Sequence, residues 1–192
     1  MNYWWTADYH INHENIIKYC NRPFNSLKQM NDTIIRNHNS RVKEDDVVFH
    51  IGDFCFKNSN GGKAGEGVPI KSSEIEKKLN GKIIHIKGNH DKNNSTKTII
   101  HNCKISYGGR IINLVHNPEH CNYDAKINFT GHVHEKWEIE RMQQYHKYTD
   151  CVNVGVDVWN FMPVSFDEIM SRYSKWKKSK GILDEIGIRR RR

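Results

Sequence analysis

Short apolar runs that end abruptly in histidine, aspartate or asparagine recur along this chain. The clearest is the β-branched run at 82–87, which leads directly into Gly88, Asn89, His90 and Asp91. The run predicts a buried strand, and the four residues after it predict a turn at the carboxyl end of that strand. Because α/β sheets bind their ligands at this end of their strands, we expect the chain to gather its polar side chains there.

The length and composition are those of one folded domain. The chain has 192 residues and no long apolar run, so no transmembrane helix is expected. The first eight residues lead into a strand-like run and lack the regions of a signal peptide. The five cysteines are scattered without a C-x-x-C pair, which is typical of reduced thiols. We therefore expect a cytoplasmic protein with no membrane partner.

The net charge of +8 is concentrated at the carboxyl end of the chain. Residues 171–192 hold nine Lys or Arg and only two acids, so the rest of the chain is about neutral. We predict a single domain at 1–178 and a basic tail at 179–192. The tail either docks on nucleic acid or another acidic partner, or is simply a solvated terminus.

Patterning along the chain predicts alternating strands and helices. Strands are expected at 2–7, 46–51, 82–87, 105–107, 110–115, 126–130 and 152–158, and helices at 14–19, 26–42, 71–79, from Asp91 to about 101, and 165–178. Ser26 and Asp91 are the expected N-caps of two of these helices. Gly108 and Gly109 predict a hairpin turn. Residues 57–69 predict a loop, which is either a flap over the site or a plain surface excursion.

The polar residues at these strand ends form a set rich in imidazole and carboxylate and free of thiolate. Its members are Asp8, His10, Asp53, Asn89, His90, His116, His132 and His134. Such nitrogen and oxygen ligands suit Mn, Fe, Zn, Ni or Co better than Ca or Mg. One ion needs only about three or four protein ligands, so the set fits two ions that share a bridging residue.

Five blocks, in this order, resemble the calcineurin-like metallophosphoesterases. They are Asp8-x-His10, Gly52-Asp53, Gly88-Asn89-His90-Asp91, His116 and Gly131-His132-x-His134. The resemblance spans roughly residues 3–165. It implies an α/β fold of the four-layer α-β-β-α sandwich type, in which two packed mixed sheets are flanked by helices. Two divalent metals, most often manganese, would lie at the carboxyl ends of the central strands.

The resemblance also assigns roles to the residues of these blocks. It implies that one metal is held by Asp8, His10 and His134, that the other is held by Asn89, His116 and His132, and that Asp53 bridges them. Asp53 and His90 would be the catalytic residues, and Asn89 and His90 would contact the substrate. A hydroxide shared by metals about 3.5–4 Å apart would attack phosphorus in line, while His90 would protonate or otherwise stabilise the leaving oxygen.

Departures from better-known branches of that superfamily narrow the function. Ser/Thr protein phosphatases follow Gly-Asp with Asp-Arg-Gly, whereas here Gly52-Asp53 is followed by Phe54-Cys55-Phe56. The short chain also leaves no room for the capping domain of the recombination nucleases. It more closely resembles the compact single-domain phosphodiesterases.

Three further residues have two interpretations each. Arg22 either binds a substrate phosphate bidentately or forms a salt bridge that orders its loop. His13 either lines the site or orients His10 from outside the ligand set. Asp157 either supports a ligand or belongs to a structural turn.

These observations lead to three functional hypotheses. The first is a metal-dependent phosphoric ester hydrolase, a phosphodiesterase or phosphatase acting on a small nucleotide-type phosphate ester. The alternative is a nuclease or nucleic-acid end-processing phosphatase that uses the basic tail. The third is a non-catalytic scaffold, which the complete ligand set disfavours.

Overall fold

Two mixed β-sheets packed together with flanking helices form the part of the chain described by the computed structural model, which comprises residues 1–56, 71–92, 98 and 100–182. The strands are β1 (Tyr3–Thr6), β2 (Val47–Ile51), β3 (Lys82–Ile86), β4 (Asn102–Tyr107), β5 (Arg110–Val115), β6 (Ile127–Thr130), β7 (Ile139–Gln144), β8 (Lys147–Asn153) and β9 (Val164–Ser165). The α-helices are α1 (Asn15–Tyr19), α2 (Leu27–Arg41), α3 (Ser72–Glu76) and α4 (Phe166–Ser179). Within these described ranges, none of the helices has the length and apolar character needed to cross a membrane.

The first sheet has the strand order β3-β2-β1-β9, and the second has the order β4-β5-β6-β8-β7. Strands β1, β2 and β3 are parallel to one another, as are β5, β6 and β8, while β9, β4 and β7 are antiparallel edge strands. The prediction of an α/β sandwich with two packed mixed sheets is confirmed.

The main core lies between the two sheets. Trp5 of β1 is fully buried there and meets the ring of Phe129 of β6 edge-on, at a centroid distance of 5.8 Å. Ile169 and Tyr173 of α4 pack against the same core. A second cluster joins Met30 of α2 and other buried side chains of α1, α2 and α3 to the segments that follow β1 and β2. The helices thereby fix the position of the loops at the carboxyl ends of those strands.

Two helix starts follow their local sequence. Ser26 caps α2, because its side chain accepts the backbone N–H of Gln29, as predicted. At α4, Ser165 and Glu168 form a reciprocal capping box. The predicted helices at 26–42 and 165–178 therefore match the observed ones to within a residue or two.

The run at 82–87 is a strand, as predicted, but it is not a buried one. β3 is an edge strand of the first sheet, and only Ile86 within it is fully buried. An apolar run alone does not distinguish an edge strand from a central one, since that depends on which strands pair later in the chain.

The prediction that Asp91 caps a helix reaching to about residue 101 is wrong. Residues His90–Lys92 form a single 3₁₀ turn, and residues 98 and 100 are not helical. The rest of the expected helix, at 93–97 and 99, lies outside the described residues, as do the loop expected at 57–69 and the end of the tail at 183–192.

The strand predicted at 152–158 begins and ends earlier. It is β8, Lys147–Asn153, and Val156–Val158 form a 3₁₀ turn instead. Its hairpin partner β7 was not predicted, because its sequence Ile-Glu-Arg-Met-Gln-Gln lacks an apolar alternation. Only Ile139 of β7 is buried, which is why a strand at this edge leaves little trace in the sequence.

Candidate metal centre

The carboxyl ends of the six parallel strands meet at one end of the sandwich. Asp8 and His10 follow β1, Asp53 follows β2, and Asn89 and His90 follow β3. His116 comes directly after β5, and His132 and His134 follow β6. A backbone bridge between Ala7 and Gly155 joins the end of β1 to the segment after β8, so the two sheets are tied together at this point. All eight predicted site residues at strand ends therefore belong to one region.

Among the residues that the structure describes, two groups of side chains are close enough to bind cations. In each group one ligand atom from each of three residues lies within 4.8 Å of the others. The first group is Asp8, His10 and His134, and the second is Asp53, His116 and His132. Asn89 adds an oxygen to the second group, because its Oδ1 lies 3.0 Å from Nε2 of His116 and 3.0 Å from Nδ1 of His132.

Asp53 lies between the two groups. Its Oδ2 is 3.4 Å from Nε2 of His10, which belongs to the first group, and 3.2 Å from Nε2 of His116 in its own group. The carboxylate of Asp53 is therefore placed to contact cations held by either group.

The chemistry of this region fits divalent transition ions. Asp8, Asp53 and His10 are each at most 2% exposed, so both carboxylates are removed from water. Nε2 of His10 is buried and has no hydrogen-bond partner among the described residues, an arrangement that costs free energy unless a ligand completes it. A cation bound by imidazole and carboxylate would complete that atom and compensate the buried charge.

The backbone at these ligands adopts a conformation that is rare for residues other than glycine. Five of the candidate ligands have positive φ angles: Asp8 (59°), His10 (48°), Asp53 (56°), His132 (73°) and His134 (49°). Such strain persists only where the surrounding structure enforces it, and it is typical of functional sites.

Glycines make room for the two carboxylates. A Cβ atom on Gly88 would lie 2.1 Å from Oδ1 of Asp53, and one on Gly155 would lie 2.6 Å from Oδ2 of Asp8. A Cβ on Gly131 would likewise meet Oδ2 of Asp8, at 2.7 Å. The Gly-Asn-His-Asp and Gly-His-x-His blocks therefore need their glycines for close approach to a carboxylate.

Hydrogen bonds outside the ligand set determine the tautomers of two ligands. Nδ1 of His116 donates to the backbone carbonyl of Ile51 at 2.8 Å, and Nδ1 of His134 donates to Oδ2 of Asp157 at 2.9 Å. In the neutral rings, the lone pair of Nε2 is then left to face the site in both residues. Asp157 therefore supports a candidate ligand, His134, which agrees with one of its two predicted interpretations.

Arg22 holds this support in place. Its guanidinium binds both oxygens of Asp157, at 2.8 and 2.9 Å, and donates to the backbone carbonyls of Asp8 and Tyr9. A last N–H faces the sulfur of Met30 at 3.5 Å, so every donor is used within the protein. Of the two interpretations of Arg22, the structure shows the contacts of the salt bridge that orders its loop, while phosphate binding stays a prediction.

Asp91 has a role that the sequence did not reveal. Its carboxylate accepts three backbone N–H groups, from Gly88, Asp53 and Phe54, at 2.8 to 3.1 Å. It thus joins the loop after β2 to the loop after β3. Asn153 anchors the segment that carries His134, since its side-chain amide donates to the backbone carbonyls of His134 and Trp137. Asp91 and Asn153 both stand where an apolar strand gives way to polar residues, and this position is the sequence signal that could have indicated their roles.

Burial and mutual charge set the protonation of the ligands. Burial raises the pKa of Asp8 to about 6, although the charges of the nearby His116 and His134 act to lower it. Burial would lower the pKa of His116, but its hydrogen bond to Asp53 and the charge of Asp8 raise it to about 9. In the same way, bonds to Asp157 and Cys20 outweigh burial and raise the pKa of His134 to about 10. Burial and the charge of Arg22 hold the pKa of His10 well below its ordinary value.

His90 and His13 lie beside the first group. The ring centroid of His90 is 5.3 Å from that of His10, and its backbone N–H donates to Oδ1 of Asp53 at 2.9 Å. The side chain of His90 is half-buried, so it reaches solvent next to the candidate ligands. Nδ1 of His13 lies 3.4 Å from Nδ1 of His10, the contact that orienting His10 requires.

A curated relative decides the family of this chain. The uncharacterized protein MJ1445 of Methanocaldococcus jannaschii is 36% identical over 181 residues, which cover 93% of this chain and 94% of that protein. The chain belongs to the family of MJ1445. No protein-family model matches it.

Two solved structures also align with this relative of MJ1445. The protein of unknown function AQ665 from Aquifex aeolicus superposes with a TM-score of 0.61 at 22% identity, over 88% of this chain and 98% of that one. This likeness shows a shared fold. A predicted phosphoesterase from Streptococcus pneumoniae TIGR4 aligns with a TM-score of 0.39 at 17% identity, over 80% of this chain and 71% of that one.

Proposed function

We propose that this chain is a metal-dependent phosphoric ester hydrolase that acts on a small nucleotide-type phosphodiester or phosphomonoester. The observation that carries the proposal is the position of Asp53 between two groups of candidate ligands, with its Oδ2 at 3.4 Å from His10 and 3.2 Å from His116. Two groups of ligands on either side of one shared carboxylate are typical of two-metal hydrolytic sites.

The residues that would hold the ions follow from the two groups. Asp8, His10 and His134 would bind one ion, Asn89, His116 and His132 would bind the other, and Asp53 would contact both. Manganese is the ion that we expect, with Fe, Ni, Zn or Co as chemically similar replacements. When bound, such ions activate the nucleophile at neutral pH and neutralise charge on the phosphoryl oxygens.

The chain's own side chains supply positioning and a proton. His90 is half-buried beside His10, so its imidazole is placed to give a proton to the leaving oxygen. Asp157 and Arg22 keep His134 oriented, and Asp91 keeps Asp53 at its loop. These contacts hold the ligands in place before the substrate arrives, which is what preorganised catalysis requires.

The test is hydrolysis of bis(p-nitrophenyl) phosphate by protein stripped of metal and then reloaded with Mn, Ni, Fe, Zn or Co. We expect turnover that depends on added metal. Asp53→Asn should lose metal and activity together, whereas His90→Ala should keep its metal and turn over slowly. His146, an exposed residue on the β7–β8 turn, gives the matched control His146→Ala, which should behave as wild type. Absence of turnover with every metal would refute the proposal.

A nucleic-acid substrate is the second candidate, and the charge of the carboxyl end favours it. Residues 171–192 carry nine Lys or Arg against two acids, and α4 ends with Lys177 and Lys178 in its last turn. Deleting residues 183–192 separates the two candidates. Loss of salt-dependent RNA or DNA cleavage, with unchanged turnover of the small ester, would support the nucleic-acid substrate.

A further inference from the structure

An aromatic surface borders the candidate metal centre on the side of His10 and His90. It consists of His13, Tyr19 and Phe56, which we call the aromatic rim. The rings of His13 and Phe56 stack with centroids 4.5 Å apart and planes 14° apart, and Tyr19 meets His13 edge-on at 6.4 Å. No step proposed above uses any of these three rings to bind a substrate.

The rim adjoins the residue that we expect to protonate the leaving group. The ring of His90 lies 5.9 Å from that of His13 and 6.4 Å from that of Phe56, measured between centroids. On the other side of the centre, the ring centroids of His116 and His132 lie 5.2 Å apart. This pair is the one ring contact that the described residues show on that side. A group attached to the leaving oxygen would therefore extend over the rim.

Tyr19 gives the rim a face that is open to solvent. Its side chain is 70% exposed, although it ends a helix, α1, whose Ile16 is anchored in the second core cluster. His13 is only 8% exposed and Phe56 is half-buried, so these two rings form the floor beside it. An exposed aromatic ring on a fixed helix next to a reaction centre is suited to stack on a planar group.

From this geometry we propose that the rim selects phosphodiesters whose leaving alcohol carries a planar aromatic group, such as a nucleobase. Tyr19 is the specificity-determining residue, and it stacks on that group while the ester lies at the metal centre. This inference rests on the proposed function and names the substrate class of the same site. Stacking of a base on an aromatic side chain is worth about 1–3 kcal/mol, or roughly fivefold to 150-fold in affinity.

The test compares two esters that differ only in the base. Metal-loaded protein is given thymidine 5′-(methyl phosphate) and the matching abasic sugar 5-(methyl phosphate), and kcat/KM and the products are measured. We expect the thymidine ester to react faster by roughly fivefold or more and to release thymidine and methyl phosphate. Equal rates, or release of methanol and thymidine 5′-phosphate, would overturn the inference.

Variants show whether Tyr19 carries the preference. Tyr19→Ala should remove most of the difference between the two esters, and Tyr19→Phe should keep it because the ring remains. Tyr145 is 86% exposed on the β7–β8 turn, so Tyr145→Ala is the matched control and should leave the preference unchanged. A preference that persists in Tyr19→Ala would contradict the assignment.

A binding measurement separates this inference from the proposed function. Calorimetry on metal-loaded protein compares thymidine 5′-phosphate with the abasic sugar 5-phosphate, and it needs no turnover. Turnover of bis(p-nitrophenyl) phosphate without any preference for the base would overturn the aromatic rim alone. Preferential binding of the nucleotide, lost in Tyr19→Ala, would support the rim even if no ester were hydrolysed and the proposed function failed.

Discussion

Arg22 grips Asp157 through two hydrogen bonds of 2.8 and 2.9 Å, and both side chains are at most 2% exposed. The pair joins the loop after α1 to the turn after β8, residues that are 135 positions apart. Because Asp157 also binds His134, the ion pair transmits the position of the α1 loop to a candidate ligand. A buried pair of this kind is costly to break, since the remaining charge has no water to solvate it.

Removal of Arg22 should therefore destabilise the fold and disturb the centre together. We expect Arg22→Ala to lower the free energy of unfolding by about 3–5 kcal/mol in urea titrations. The exposed ion pair of Lys28 and Asp32 provides the control, and Lys28→Ala should cost less than about 1 kcal/mol. Equal effects of the two variants would contradict the structural role of Arg22.

Asp91 should be required for metal binding although it is not a candidate ligand. In Asp91→Ala the N–H groups of Gly88, Asp53 and Phe54 lose their buried acceptor. We expect a loss of at least about 2 kcal/mol of stability, because unsatisfied buried donors are expensive. We also expect weaker Mn²⁺ binding by calorimetry, since the loop that carries Asp53 loses its anchor.

The matched control for Asp91 is Asp124→Ala. Asp124 is exposed and forms its ion pair with Lys147 on the surface, at 2.7 Å. That variant should keep both stability and Mn²⁺ affinity. If Asp91→Ala bound Mn²⁺ as tightly as wild type, the anchoring role of Asp91 would be wrong.

His38 should make the fold sensitive to acid independently of the metal centre. Burial lowers the pKa of His38 to about 4, although the hydrogen bond from its Nε2 to the backbone carbonyl of Asn80 acts to raise it. Its Nδ1 accepts a hydrogen bond from the hydroxyl of Tyr9 at 2.8 Å. An unfolded histidine titrates near 6.5, so between pH 6.5 and pH 4 the unfolded chain binds the additional proton. Stability contributed by neutral His38 is therefore present above pH 6.5 and lost as the pH falls toward 4, by up to about 3 kcal/mol.

The variant His38→Gln isolates this effect, because glutamine does not titrate. Urea unfolding should show the wild type losing its advantage over the variant as the pH falls from 7 to 4.5. Other titrating groups are common to both proteins and cancel in the difference. A difference that stays constant over this range would show that His38 is not the group responsible.

The sequence predicted which side chains come together at the strand ends better than it predicted the contacts around them, for a physical reason. Polar candidate ligands at the ends of apolar strands, such as Asp8 and His116, stand out because the two kinds of residue meet abruptly. The partner of a residue like Arg22 lies 135 positions away, and no local pattern indicates it. Likewise Asp91 has the pattern of a helix cap, yet its three donors come from two different loops.

The fold shows the same division. Strands with one or both faces buried, such as β2 and β6, were predicted from their apolar runs. β7 was not predicted because it is an exposed edge strand, which exists through its backbone hydrogen bonds to β8. Backbone groups are the same for every sequence, so such pairing leaves no pattern of side chains. The paired sheets were expected only from the resemblance of five short blocks.

Two cations that share Asp53 would be detected most directly by Mn²⁺ stoichiometry combined with electron paramagnetic resonance. Protein stripped of metal and dialysed against Mn²⁺ should retain two ions per chain with the spectrum of a coupled pair, and Asp53→Asn should lose that coupling. One ion per chain, or two ions whose spectrum shows no coupling in the wild type, would contradict the sharing of Asp53.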